Sequence, residues 1–259
     1  MLTRLCSLFL ILPAIVQADD AVEQLIMATY KLAGEGSAAT GLAVRSQKGE
    51  GDGTCFILTA HHVLAQMKGT EMRIISRVAK PNGTYNRNEV VVPIRGQGKD
   101  LWKKHPDHDL AVLALPNSVQ LTALGMDSIA AESQIEKVKA GDEVRAAVFP
   151  EKNESNGAGF PIIRGGIIAS FPLNPVRAHP DFLVDATTWS GDSGGPVIHA
   201  ELRSESGGPL VIGVVRGLRN IVDTNRESRF VDRKERFPLD IAEVMQAALA
   251  KADLLDSES

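Results

Sequence analysis

Short apolar runs separated by turn residues are the feature that most limits how this chain can fold. From residue 41 onward, runs of four to eight residues rich in Val and Ile alternate with Gly, Pro, Asn and Asp. Regularly punctuated runs of this kind are typical of β-barrels and β-sandwiches. Eleven strands are predicted: Gly41–Arg45, Thr54–Thr59, Met72–Val78, Glu89–Ile94, Asp109–Leu115, Glu143–Phe149, Gly165–Ala169, Asp181–Asp185, Pro196–His199, Pro209–Arg216 and Ser228–Asp232.

The first 18 residues have the composition of a secretory signal peptide. Arg4 supplies a positive charge ahead of the apolar run Leu5–Val16, and Ala18 is a small residue at a cleavage position. The apolar run is short for a bilayer span, which argues against an uncleaved anchor. We therefore predict a signal peptide at Met1–Ala18, a secreted or periplasmic protein, and no membrane association after cleavage.

Charge and cysteine content narrow the possible partners. The chain has 28 Lys and Arg, 32 Asp and Glu and a formal net charge of −4, a balance that repels phosphates and predicts no nucleic-acid binding. Cys6 leaves with the predicted signal peptide, so Cys55 stands alone and no internal disulfide is expected. Because Cys55 lies in an apolar run, we expect a buried, unreactive thiol.

Two stretches have helical character. Ala21–Met27 is predicted to form a short helix ahead of the strands. Near the end of the chain, apolar residues spaced three and four apart predict a helix over about residues 239–255. These residues are Ile241, Val244, Met245, Ala248 and Leu249. Pro116–Lys139 is more polar than its surroundings, and we place the connection between two β units there.

The stretch from Trp189 to Ile198 places Ser193 among three glycines, Gly191, Gly194 and Gly195. Glycines let backbone amides approach a ligand closely and adopt φ values that other residues resist. A hydroxyl surrounded by amides is what acyl transfer requires, namely a nucleophile beside donors for the developing oxyanion. The stretch alone is also compatible with a glycine-rich turn, so residues elsewhere must decide.

Two further motifs supply a base and an acid. The first is Thr59–His62, an apolar run interrupted by two histidines, and the second is Asp109–Ala111. Together with Gly191–Pro196 they resemble the T-A-x-H, D-[IL]-A and GDSGGP motifs of the trypsin-like (chymotrypsin-fold) serine proteases, in the same order. The separations, 47 residues from His62 to Asp109 and 84 from Asp109 to Ser193, suit that fold.

The resemblance implies an all-β fold and a hydrolytic activity. It implies two six-stranded antiparallel β-barrels, at about residues 24–117 and 138–236, and a C-terminal helix, within one domain spanning residues 19–256. The catalytic residues would be His62, Asp109 and Ser193, with the amides of Gly191 and Ser193 as oxyanion donors. The implied activity is endopeptidase cleavage of proteins or peptides, without cofactor or metal. With its lone cysteine, the chain is similar to the disulfide-free, bacterial-type members of the family.

Other interpretations compete with a serine protease. The nucleophile elbow of α/β-hydrolases also has a G-x-S-x-G pattern, but that fold needs an acid and a histidine far downstream. The last histidine, His199, lies only six residues after Ser193. Adjacent His61 and His62 point in different directions, and no HExxH motif or cysteine pair is present, which argues against a metal site. His61 as the base and a catalytically silent binding module stay open.

Family positions also give expectations for the primary pocket. By the resemblance, Thr187 and Thr188 form an uncharged floor and Arg216 lies near the rim. If Arg216 turns to solvent, small or medium apolar side chains should fit. If its guanidinium reaches the pocket, acidic side chains become favourable. Either way, cleavage after Lys or Arg should be poor.

In the trypsin-type zymogen switch of this family, cleavage frees an Ile-Val-Gly-Gly amino terminus whose ammonium pairs with the aspartate before the serine. No such sequence stands near the start of this chain, so we expect no switch of that type. Asp192 should then have a side-chain or backbone donor, or be partly exposed, because an unpaired buried carboxylate is costly.

Overall fold

The computed structural model describes residues 17–46, 53–219 and 241–246. Within them, ten strands lie in the first half of the chain: β1 (Thr29–Ala33), β2 (Ala38–Arg45), β3 (Cys55–Ala60), β4 (Glu71–Ala79), β5 (Tyr85–Pro93), β6 (Arg95–Gly96), β7 (Lys99–Asp100), β8 (Lys103–Lys104), β9 (Leu110–Ala114) and β10 (Leu124–Gly125). Six follow: β11 (Glu143–Val148), β12 (Ile162–Ile168), β13 (Asp181–Asp185), β14 (Pro196–Arg203), β15 (Pro209–Arg219) and β16 (Ile241–Gln246). The helices are α1 (Gln17–Ala28), α2 (His61–Gln66) and α3 (Glu132–Ile135), with single 3-10 turns at Met126–Ser128 and Pro150–Lys152.

The first half of the chain forms an eight-stranded sheet in the order β5-β4-β1-β2-β3-β9-β8, with β10 parallel to β2. β6 and β7 form a separate two-stranded ribbon. Among the residues described, the sheet therefore differs from the expected six-stranded barrel, because its hydrogen bonding ends at β5 and β8 instead of closing. Both edges are charged: β8 consists of Lys103 and Lys104, and β5 carries Arg87 and Glu89. Charged residues discourage an exposed edge from pairing with other chains.

The second half of the chain forms a closed six-stranded barrel in the order β11-β12-β13-β16-β15-β14. Its ladders are antiparallel, as expected. The predicted helix is wrong where it can be compared, because Ile241–Gln246 is strand β16, paired with β13 on one side and β15 on the other. Without it, both neighbours would have unpaired edges, and the need to satisfy those backbone groups outweighs the local helical spacing.

The remaining strand predictions agree well with the fold. Ten of the eleven predicted strands fall in the described residues, and each overlaps an observed strand. The predicted helix Ala21–Met27 lies within α1. Ser228–Asp232, residues 1–16 of the predicted signal peptide and residues 247–259 lie outside the described residues. No helix in the described ranges is long and apolar enough to cross a membrane.

Buried side chains form three clusters, one of which joins the two halves. One cluster fills the first sheet and one fills the barrel. The third, here called the shared core, draws on α1 and on both halves: Leu25, Ala28, Leu42, Val44, Phe56, Leu58, Leu110, Val112, Leu124, Met126, Ile129, Ala147, Ile198, Val211 and Val214. Cys55 packs in the first sheet as a free thiol, and burial raises its pKa.

Candidate active site

Helix α2 follows β3 without an intervening loop, and this junction places His62. All six residues of β3 are buried, so the chain leaves the sheet interior only at the helix. Val63 and Leu64 pack inward, which leaves the His62 ring partly exposed. Its Nδ1 lies 2.6 Å from Asp109 Oδ2, and its backbone amide donates to Asp109 Oδ1 at 2.8 Å. A proton held on Nδ1 by the carboxylate leaves Nε2 free to accept another.

Asp109 stands immediately before β9 and faces both histidines. Burial alone would raise the pKa of Asp109, but hydrogen bonds from His62 and the nearby charge of Arg216 outweigh it and hold the pKa below its usual value. The carboxylate is therefore ionised at neutral pH. The His61 ring is farther away, with Nδ1 4.0 Å from Asp109 Oδ1, and it lies beside Trp102. Within the described residues, no three His, Cys, Asp or Glu side chains converge to form a metal site.

Ser193 lies on a tight loop that packs directly against β2. Gly191 and Gly194 have φ values of +98° and +86°, a region that favours glycine. A Cβ at Gly194 would lie 2.0 Å from the Thr40 carbonyl oxygen, so no larger residue fits there. Ser193 Oγ donates to the Arg216 carbonyl at 3.1 Å and, among the described residues, makes no hydrogen bond with His62. Catalytic hydrogen bonds are often long without substrate and tighten when it binds.

Thr40 connects the first sheet to the serine loop. It is fully buried on β2, and its backbone amide donates to the Ser193 carbonyl at 3.0 Å. Its hydroxyl donates to the Gly191 carbonyl at 2.8 Å and accepts from the Phe149 amide at 3.1 Å. No local sequence pattern indicates this role, because Thr40 and Gly191 are 151 residues apart.

The amides of Gly191 and Ser193 donate no hydrogen bond within the described residues, as oxyanion donors must before substrate arrives. The preceding peptide is held from the other side, because the Glu151 amide donates to the Ser190 carbonyl. Glu151 and Lys152 are both in the left-handed region, with φ of 47° and 69°. That conformation costs a non-glycine residue about 1–2 kcal/mol, so the surrounding contacts must enforce it.

Asp192 is buried inside the barrel, and its partners lie within the chain. Oδ2 accepts a hydrogen bond from the Trp189 amide at 2.8 Å and lies 3.6 Å from Arg164 Nε on β12. The second distance is within ion-pair range but too long for a hydrogen bond. Burial raises the pKa of Asp192 to about 6, and these two groups only partly offset it. The expectation of a side-chain or backbone donor agrees with this arrangement.

The three residues predicted for the primary pocket lie in two different places. Thr187 and Thr188 line a small cavity, together with Arg164 and Asp192. Arg216 does not line it: Nη1 lies 3.2 Å from Asp181 Oδ2, and Nε lies 3.9 Å from Asp109 Oδ2. Arg216 is therefore neither turned freely to solvent nor directed into the threonine-lined cavity. Its guanidinium lies between two carboxylates beside the predicted triad.

The family is decided by a match over most of the described chain. A family model for the trypsin-like peptidase domain matches residues 39–204. The chain belongs to this family. No curated protein matches the trypsin-like peptidase in sequence.

Solved structures similar to this trypsin-like peptidase share its fold. An inactive, serine-to-alanine form of Rv3671c from M. tuberculosis H37Rv is 17% identical, with a TM-score of 0.52 over 94% of this chain and 92% of the other. Another inactive form of the Rv3671c protease is 19% identical, with a TM-score of 0.52 over 95% and 96%. The HtrA-type protease AlgW with a decapeptide is 17% identical, with a TM-score of 0.51 over 93% and 67%. At these identities the likeness concerns the fold.

Proposed function

We propose that this trypsin-like peptidase is a serine endopeptidase that cleaves proteins or peptides with His62, Asp109 and Ser193. The observation that carries the proposal is the paired contact of Asp109 with the ring and the amide of His62. This contact fixes the imidazole tautomer that a general base needs. The Gly191 and Ser193 amides, with no other hydrogen-bond partner among the described residues, support the same conclusion.

The chemistry follows from these positions. His62 Nε2 takes the hydroxyl proton as Ser193 Oγ attacks the peptide carbonyl carbon, and the carbonyl oxygen becomes an oxyanion bound by the two amides. Asp109 stabilises the imidazolium. His62 then protonates the departing amine, which leaves an acyl-enzyme on Ser193. Water, deprotonated by His62, hydrolyses the ester and regenerates the free hydroxyl. No cofactor takes part.

A serine-directed fluorophosphonate probe tests the assignment. The wild type should be labelled and should cleave an unfolded protein substrate, whereas Ser193→Ala should do neither while keeping the same thermal midpoint. His62→Ala should be comparably inactive, and His61→Ala should keep most of the activity. A reversed ranking of the two histidine variants would move the base to His61. An unlabelled wild type would favour the silent binding module, in which the Ser193–Arg216 hydrogen bond is permanent.

The proposed specificity is for small or medium apolar side chains before the scissile bond. Thr187 and Thr188 supply no charge, and Arg216 is engaged by Asp181 and Asp109. The acid that lines the same cavity, Asp192, already accepts a hydrogen bond from the Trp189 amide and lies 3.6 Å from Arg164, so the cavity offers no uncompensated carboxylate to a basic substrate side chain. Paired peptides that differ only at this residue should give a higher kcat/KM for Val or Ala than for Arg. A clear preference for Arg would contradict both the specificity and the pocket assignment.

Export completes the proposal. We place the enzyme outside the cytoplasm after removal of Met1–Ala18, on the basis of the charged, apolar and small-residue segments of that stretch. Amino-terminal sequencing of protein recovered from an exporting host should begin at Asp19. A chain that retains Met1 would contradict cleavage.

A further inference from the structure

Residues 150–160, here called the bridging loop, connect β11 to β12 but reach across to the first sheet. Lys31 Nζ, on β1, donates to the Lys152 carbonyl at 2.6 Å and to Glu154 Oε1 at 2.8 Å. Lys152 Nζ in turn donates to the Gly36 carbonyl at 2.8 Å. The loop of one half is thus attached to the turn and strand that open the sheet of the other half.

Glu154 is the charged centre of this attachment. Its carboxylate lies between Lys31 on β1 and Arg87 on β5, and Arg87 contacts both carboxylate oxygens. The Glu154 and Lys31 side chains are only 12% and 13% exposed. Burial alone would raise the pKa of Glu154, but the hydrogen bonds from Arg87 and Lys31 outweigh it and keep the pKa below its usual value. A shielded carboxylate with two hydrogen-bonded cations is held more firmly than an exposed ion pair.

The far end of the bridging loop is attached separately. Arg77 Nη1, on β4, donates to the Gly159 carbonyl at 3.0 Å. The Arg77 guanidinium lies over the rings of Tyr30 and Phe160, at 4.7 and 4.8 Å from their centroids. Removing Glu154 would therefore loosen the start of the loop, where the contacts of Lys152 with Lys31 and Gly36 remain, and leave its end in place.

The start of the loop touches the serine loop. The Glu151 amide donates to the Ser190 carbonyl, and a Cβ at Gly191 would lie 2.5 Å from the Phe149 carbonyl oxygen. In a trans peptide the carbonyl and the following N–H point in opposite directions. Fixing the Ser190 carbonyl therefore fixes the direction of the Gly191 N–H, the expected oxyanion donor.

We propose that Glu154 is a positioning residue for the oxyanion hole. It fixes the bridging loop on Lys31 and Arg87, and the loop, through Glu151, orients the Ser190–Gly191 peptide. This inference rests on the proposed serine peptidase activity. Because the oxyanion forms only along the reaction path, loss of Glu154 should lower kcat and leave KM nearly unchanged.

Glu154→Gln tests the proposal, with Glu89→Gln as the matched control. Glu89 also contacts Arg87 but makes no contact with the bridging loop. Since loss of a whole oxyanion donor costs about 10²–10³ in kcat, a disoriented donor should cost Glu154→Gln about tenfold. Affinity for a peptide boronate should fall by a similar factor. Glu89→Gln should match the wild type, and Glu154→Asp should recover part of the loss.

Hydrogen exchange of the segment 187–194 gives a readout that does not depend on activity. Glu154→Gln should speed exchange there, and Glu89→Gln should not. If the wild type neither cleaves peptides nor reacts with the fluorophosphonate, the proposed function fails, while the exchange result still decides the positioning role. Equal exchange and equal kcat in the two variants would overturn the proposal. If Glu154→Gln does not fold, Lys31→Gln and Arg87→Gln, which each leave one cation on the carboxylate, replace it under the same criteria.

Discussion

At the scale of single residues, Thr40 shows how a side chain remote in sequence supports a reactive loop. Thr40→Val keeps the shape but leaves the Gly191 carbonyl and the Phe149 amide without the hydroxyl. A buried group left without its partner costs about 1–3 kcal/mol, so we expect a loss of this size or somewhat more in the free energy of unfolding. Urea denaturation measures it. Thr40→Ser keeps the hydroxyl and should lose clearly less; equal losses would show that the hydroxyl contributes little.

Asp192 makes stability depend on pH in the opposite sense from an ordinary ion-paired carboxylate. Its folded-state pKa of about 6 lies above the usual 3.8, so the folded protein holds the proton more tightly than the unfolded chain. The resulting stabilisation is complete below about pH 4 and is lost as the pH rises through about 6. Asp192→Asn cannot titrate and should lack this dependence.

The measurement is urea unfolding at pH 4 and pH 7 in a Ser193→Ala background. The free energy of unfolding of the parent, minus that of Asp192→Asn, should fall by about 2–3 kcal/mol between these values, since one pKa unit corresponds to about 1.4 kcal/mol. Asp107→Asn removes an exposed acid and is the control. If both variants track the parent in parallel, Asp192 is ionised throughout.

The sequence predicts the residues of the candidate site better than their supports. His62, Asp109 and Ser193 each lie in a short motif whose neighbouring residues single them out as candidates. Thr40 acts through residues in another sheet. Arg164 likewise meets Asp192 only because β12 passes the serine loop in the barrel. Such contacts depend on strand order and register, which no short window of sequence contains.

At the scale of elements, β16 shows where local periodicity fails. Its apolar residues are spaced three and four apart, as in a helix, yet the segment closes the barrel between β13 and β15. Strand β1 was missed in the sequence for a related reason. Its five residues follow α1 directly, and no turn residue separates the strand from the helix. Whether a segment forms a strand depends on the neighbouring strands that pair with it, and those strands lie far away in the chain.

Val244→Pro tests the closing role of β16. Val244 pairs with Phe182 on β13 and with Val215 on β15, so proline would remove a ladder donor inside a strand with two neighbours. We expect a fall in the thermal midpoint of roughly 10 °C or more, given that 1 kcal/mol shifts a domain of this size by about 2–4 °C. Val244→Ile keeps the amide and should change it far less. Val244→Ile by itself does not distinguish a strand from a helix, because a helix would tolerate isoleucine equally. Proline at Ala242, which is also paired on both sides, should therefore reproduce the loss.

At the scale of the whole molecule, the shared core predicts that the two halves unfold together. The molecule has two tryptophans, Trp102 in the first half and Trp189 in the second, and each half can therefore be followed separately. The variants Trp102→Phe and Trp189→Phe each keep one tryptophan. In each variant, the unfolding curve followed by tryptophan fluorescence should coincide with the curve followed by circular dichroism. Separate transitions would mean that the halves are independent domains.

Leu25→Ala extends this test. Leu25 lies on α1, is completely buried, and belongs to the shared core. Its truncation should destabilise the molecule by about 2–5 kcal/mol and should shift the curves of both tryptophan reporters equally. A shift confined to one reporter would place α1 with that half alone.

The single buried thiol in the first sheet has a practical consequence. In a chain that begins at Asp19, Cys55 is the only sulfhydryl, and burial both shields it and keeps it protonated. An alkylating reagent should therefore modify the folded molecule only as fast as the sheet opens. The rate of alkylation then measures the rate of transient opening at one atom, the Cys55 sulfur, in a protein that carries no added label.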